Sequence, residues 1–272
     1  MFLLGSGAVA NAWVPVVAAV REFHSHAQVT NGDEANFVLA WWVYHQRTRA
    51  LRMQRGDLTP EDRERNLQLE VSDLKLRQTI AAYLRVASEQ NFFRLRPQAV
   101  ALLTDRRWGE STFFLTANWD RLLEMDMAYP SASVIHIHGE VEKPSCLYLP
   151  TETSTENYRS QEVNEHIARL TGTAWQVIRD ARQLCIYGLS LSPLDAELAA
   201  VLGVGLEPRE GPPFPVYVYN LRGKHLDEAV WRVRAATHPE ARVEIHPMPL
   251  DLEPDPPVPT DWDLRPLEPC AR

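Results

Sequence analysis

Five short apolar runs in this chain each break off at a polar cluster, and that pattern limits the fold more than any other feature. Phe2-Leu3-Leu4 ends at Gly5-Ser6-Gly7, and the run closing at Thr116 opens Ala117-Asn118-Trp119-Asp120. The others stop at His136-Ile137-His138-Gly139, at Tyr187-Gly188-Leu189-Ser190 and at Asn220. Strands are predicted at 112–116, 133–137, 146–149, 184–187, 216–219 and 242–246, with helices near 119–127, 161–183, 193–203 and 224–237. Ser192-Pro193 reads as the start of the third of these helices. Strands alternating with amphipathic helices build a sheet in which successive strands run the same way. The expected class is α/β: a Rossmann-like, mostly parallel sheet with helices on both faces and an inserted helical subdomain.

The insertion spans 36–109. Phe37, Trp41, Tyr44, Thr48 and Leu51 step by four and three, and Thr59-Pro60-Glu61-Asp62 reads as a helix start with proline at the first position. Along the next helix Leu67, Val71, Leu74, Ala81 and Leu84 line one face, with Leu76, Ile80 and Tyr83 beside it. Residues 1–35 and 110–247 then form the sheet domain. The tail 248–272 follows, in a segment with eight prolines from Pro247 to Pro269, which excludes helix and central strand. The tail is expected either to wrap the surface through Trp262 or to remain mobile.

Composition narrows the class of function. At 45% hydrophobic and 24% charged, the 272 residues are ordinary for a globular enzyme, and a net charge of −8 argues against direct nucleic-acid binding. Trp41, Trp42, Arg47, Arg49, Arg52 and Arg55 could be read as a nucleic-acid stripe, but packing against the core or a second subunit is the expectation. The apolar start from Phe2 to Val20 has no preceding positive charge and is interrupted by Gly5, Gly7, Asn11 and Pro15, so neither export nor a membrane span is expected. Cys146, Cys185 and Cys270 are too few and too scattered for a disulfide framework or a four-thiolate zinc site, and a cytoplasmic location is expected.

The polar clusters supply the candidate chemistry. Gly5-Ser6-Gly7-Ala8-Val9-Ala10 fits G-x-G-x-x-A after a strand, where backbone amides can approach a pyrophosphate; the plain alternative is a tight turn that binds nothing. Asn118 and Asp120 project where doubly wound sheets bind ligands, or else cap the following helix. His136 and His138 sit at i and i+2, but the sequence offers no placed third ligand, so no metal is expected and a neutral imidazole suits a general base. Gly188, Ser190 and Asn220 could face phosphates or sugar hydroxyls. An ordinary dehydrogenase would also want an acidic residue about twenty positions after the glycines at a second strand end, and Glu22, Asp33 and Glu34 do not meet that pattern.

Together these motifs resemble the catalytic core of sirtuin-like NAD-consuming proteins, especially the bacterial branch that hydrolyses NAD in antiviral defence. Thr116 to Glu124, Thr-Ala-Asn-Trp-Asp-Arg-Leu-Leu-Glu, matches the family's T-x-N-[YW]-D-R-L-[LI]-E signature. His138-Gly139 matches its His-Gly element, followed by Pro144 and Tyr158, and Gly188 to Asp195 matches its G-x-S-L-x-D/P segment. The resemblance implies Asn118 and His138 as the catalytic pair, Asp120 near the nicotinamide, and Gly5, Ser6, Gly7, Ala8, Thr116, Gly188, Ser190 and Asn220 around NAD, the substrate. It departs from the family at Ala12-Trp13-Val14-Pro15 and Glu140, and the absence of a four-cysteine module disfavours peptide deacylation.

The implied reaction is hydrolysis of NAD to nicotinamide and ADP-ribose by a defence effector, held silent until a homo-oligomer or a separate activating protein triggers it. The alternative is a non-catalytic sensor or scaffold that binds NAD or ADP-ribose.

Overall fold

Four of the six β-strands are only three or four residues long, and alternate residues of a strand covered on both faces enter different cores. In the computed structural model, which describes residues 1–24, 28–55, 59–105, 108, 112–127, 133–191 and 195–262, β1 (Phe2–Leu4) sends Phe2 and Leu4 into one apolar cluster and Leu3 into another. That period of two is what a strand covered on both faces requires. The sheet contains β2 (Phe114–Thr116), β3 (Val134–His136), β4 (Leu184–Tyr187), β5 (Phe214–Leu221) and β6 (Val243–Leu250). All neighbours are parallel, in the order β3-β2-β1-β4-β5-β6. The order reverses between β1 and its neighbours β2 and β4, which opens a crevice beyond the carboxyl ends of these strands.

One face is covered by α1 (Val14–Phe23), α2 (Gly32–Gln54), α3 (Pro60–Ser88) and α4 (Pro97–Leu103). The other is covered by α6 (Gln161–Asp180), α7 (Ala196–Gly205) and α8 (Lys224–Ala236); the short α5 (Leu122–Asp126) follows β2. Local sequence fixes several of these starts. Asn31 accepts the Glu34 amide at 3.0 Å ahead of α2, and Thr59 with Asp62 forms a reciprocal capping box ahead of α3. The Ser192-Pro193 start lies outside the described residues; the helix there is described from Ala196.

Three sequence expectations are corrected. The apolar run 146–149 is no strand: a 3-10 turn, Pro144–Cys146, leads into buried extended chain. Its backbone is satisfied from elsewhere, the Leu147 carbonyl by Arg77, the Leu149 amide by the Glu152 carboxylate and the Tyr148 amide by the His138 carbonyl. Side chains here do the work of a neighbouring strand. The last strand continues past His246 to Leu250, because Pro247 and Pro249 alternate along the sheet's free edge, where a missing amide removes no ladder bond.

The third concerns the helix stripes. On α2 the core receives Leu39, Trp42 and Val43, whereas Phe37, Trp41, Tyr44 and Leu51 face solvent. On α3 Leu67, Val71 and Leu74 are exposed, and the buried face begins at Leu76. Nor do the arginines make a basic stripe, since Arg49 is buried and Arg47 is bound by Glu156.

The tail is strapped across α4. Asp255 pairs with Arg96 at 2.6 Å, Glu253 accepts the Gln98 amide at 3.1 Å, and Asn11, in a left-handed conformation, donates to the Pro256 carbonyl at 2.9 Å. Trp262 ends the strap inside the core, edge-on to Phe92 and Tyr83. Replacing Trp262 with Ala is expected to lower stability by about 3–5 kcal/mol, the range for emptying a large aromatic site; urea unfolding of the full chain measures it.

Candidate active site

Polar ends of β1, β2, β3 and β4 meet at one cleft of about 630 Å³, a size suited to small-molecule ligands. Ser6, Asn118, Asp120, His138 and Ser190, all named from sequence, line it. Gly7, Gly188 and Asn220 line a second hollow of about 100 Å³, together with Arg96 and Glu253 of the strap. Gly5, Ala8 and Thr116 line neither, and both Ala8 and Thr116 are buried.

The two hollows are separated by a backbone seam. Gly5 N–H donates to the Tyr187 carbonyl at 3.0 Å and Gly7 N–H to the Gly188 carbonyl at 2.9 Å, while Ala8 N–H turns back to Gly5. A Cβ on Gly188, whose φ is +61°, would stand 2.5 Å from the Gly7 carbonyl carbon. The glycines are therefore needed for close approach of two loops, and the amides of Gly5, Gly7 and Ala8 are already committed. A 3-10 turn, Ser6–Ala8, follows, and α1 starts only at Val14, so the motif does not abut that helix.

At the end of β2, Thr116 Oγ1 accepts the Asn118 amide at 3.0 Å and Asp120 Oδ1 accepts that of Leu122 at 3.1 Å. Asp120, rather than Asn118, supports the start of α5. Burial pushes the Asp120 carboxyl up to about 6. The Asn118 backbone is held from below: His136 Nδ1 lies 3.1 Å from its carbonyl and Nε2 lies 3.0 Å from Glu124 Oε1. An imidazolium that donates from both nitrogens fits both acceptors. Burial lowers the His136 pKa, but the hydrogen bond and charge of Glu124 overcome it and hold the group above its ordinary value.

His136 and His138 consequently meet different partners. Glu124, His136 and Glu140 form a cluster with the spacing of metal ligands, yet Arg121 lies 3.6 Å from Glu124 and 3.8 Å from Glu140 and brings positive charge there itself. His138 is buried and stacked on Tyr148 at 4.9 Å between centroids. Nε2 has no hydrogen-bond partner among the described residues, and in the Nδ1–H tautomer it carries a free lone pair. Burial holds the His138 pKa below its ordinary value despite the charge of Asp195, which keeps the ring neutral.

Behind Tyr148 lies a buried ionic network. Glu152 binds Arg77 at 2.6 Å and also pairs with Arg159 and the Tyr158 hydroxyl. Arg77 extends the chain through Asp73 at 2.8 Å, which accepts from the Trp42 indole at 2.8 Å. Burial alone would raise the Glu152 carboxyl, but Arg77 and Arg159 hold it at about 2.

Sequence reasoning missed several lining residues. Trp13, Asp33, Asn36 and Phe37 come from the start of α1 and α2, and Tyr148 from the misread strand. Asp195, at the end of the Gly188 segment, was within reach of the motif. The only signal for the others was an acidic, aromatic helix start next to a glycine turn. No protein-family model, curated protein or solved structure matches the chain.

Two outcomes follow from the buried pairs. Glu152→Gln leaves Arg77 and Arg159 without their counter-charge and should reduce stability by about 3–5 kcal/mol, read from urea unfolding at neutral pH. For His136, a raised folded-state pKa means that its contribution is full below its ordinary value of 6.5 and disappears as pH rises through the folded value. The stability gap between wild type and His136→Gln, about 1–3 kcal/mol at pH 6, should therefore shrink by pH 9.

Proposed function

We propose that this chain cleaves the nicotinamide–ribose bond of NAD with water. The observation that carries the reading is a buried imidazole, held neutral, whose Nε2 has no hydrogen-bond partner among the described residues, in the same cleft as Asn118. In cleavage the C–N bond breaks heterolytically, and its electron pair leaves with nicotinamide, whose ring is already cationic and needs no acid. The remaining oxocarbenium is captured by water, and the water proton passes to His138 Nε2. Products are nicotinamide, ADP-ribose and one proton.

Asn118 holds the water and the ribose hydroxyls in this scheme, and Asp120 orients the carboxamide or supports the cationic ring. Ser6 and Ser190 supply hydroxyls for the ribose or phosphates. Trp13 and Phe37 line the same cleft, and in this scheme their apolar rings limit bulk water around the reacting bond. Gly188 and Asn220 lie across the seam, so they serve the adenosine half if NAD spans it. A defence role rests on the sequence resemblance; a trigger through self-assembly or a separate protein follows from the need to keep an enzyme that drains NAD silent until it is called on. No described helix is long and apolar enough to cross a membrane.

The test is nicotinamide release from NAD. His138→Ala and Asn118→Ala should each reduce turnover by at least about 100-fold with the melting temperature retained. The acid limb of the kcat/KM profile should fall below pH 6.5, because the lowered pKa keeps His138 a base there. Absence of release by concentrated, assembled protein overturns hydrolysis; calorimetric binding of NAD that is recovered intact identifies a sensor or scaffold instead.

A further inference from the structure

The solvent face of α2 has a second apolar edge that the fold does not use. Phe37, Trp41 and Tyr44 are 70%, 52% and 62% exposed, and Leu51 is 50% exposed. Their spacing of four and three is the period of a helix packed nearly along another helix. The opposite edge, with Leu39, Trp42 and Val43, already serves the core. Aromatic side chains present roughly 150–250 Å² each, so pairing this edge with a copy of itself removes on the order of 900 Å² from water before flanking residues contribute. A specific interface needs roughly 1,000 Å² or more.

Charge selects the occupant and its direction. The first turn of α2 holds Asp33 and Glu34, the last turn holds Arg52, and Arg55 follows it. A parallel copy would set acid beside acid. An antiparallel copy, related by a two-fold axis near Tyr44, sets each acidic end against the partner's basic end and opposes the helix dipoles favourably. The middle of the edge stays free of competing charge, because Arg47 turns to Glu156 and Arg49 is buried.

We infer that α2 forms the contact of a two-fold homodimer, with Trp41 and Tyr44 at its centre. Phe37 and Asp33 belong both to this edge and to the cleft wall, so the partner helix ends at the mouth of the candidate active site. The proposal names the assembly face for the oligomer reading given above. It rests on the NAD reading only for that last consequence, since the dimer is measured without nucleotide.

Sedimentation or light scattering of the full chain should show a dimer at micromolar concentration. Tyr44→Arg should raise the dimer Kd by at least about 100-fold. Joint Arg52→Glu and Arg55→Glu replacement should weaken it by about tenfold or more, and Asp33→Arg added to that chain should restore most of the loss. Circular dichroism melts check the fold of each variant, and the charge series decides the matter if Tyr44→Arg misfolds. A wild type monomeric at 100-fold higher concentration than a typical micromolar Kd, a dimer indifferent to both sets of changes, or a charge loss that Asp33→Arg does not restore overturns the proposal.

Discussion

Glu152, a carboxylate buried between Arg77 and Arg159, joins the helical layer to the cleft. A lone ion at such a site would be expelled or neutralised. Here Arg77 comes from α3, is braced by Asp73 and Trp42 on α3 and α2, and also holds the Leu147 carbonyl. The same carboxylate takes the Leu149 amide and the Tyr158 hydroxyl. One ion cluster thereby fixes two helices and an irregular loop whose backbone has no strand to pair with. Tyr148, stacked on His138, is carried by that loop, so the orientation of the imidazole depends on charges well behind the cleft.

A second clamp works from the sheet side. His136 spans the Asn118 carbonyl and the Glu124 carboxylate, which fixes the loop bearing the side-chain amide. Asn118 and His138 each reach the cleft from a short strand end, and each is held by a buried ion pair or network. Strand ends alone are imprecise; the supporting groups give the pocket its defined shape. Between the hollows, the glycine seam brings the β1 and β4 loops within contact distance and leaves no space for a Cβ.

The legibility of these features follows from their range in sequence. Most of the apolar runs and the capped start of α3 at Thr59 were read correctly in outline because each is decided within a few residues. The run 146–149 failed as a strand because burial without pairing looks the same in sequence as burial in a sheet, and the donors that satisfy it are distant: Arg77 from α3 and Glu152 from the following loop. The α2 stripe was legible as a period, but the period does not say which edge meets the core, since Leu39, Trp42 and Val43 form an equally apolar one.

By itself, the sequence determined that an α/β chain would gather its polar clusters at strand ends, since alternation of short apolar runs with amphipathic helices is a local property. It also marked Ser6, Asn118, Asp120, His138 and Ser190, which line one cleft. Only the tertiary structure decided that the glycine amides bond to a neighbouring loop, that His136 supports rather than faces the cleft, and that Asp33, Phe37 and Tyr148 help enclose it. Those outcomes depend on which distant segments pack together. Burial energies and ion pairing settle that over the whole chain, and no window of local sequence contains them.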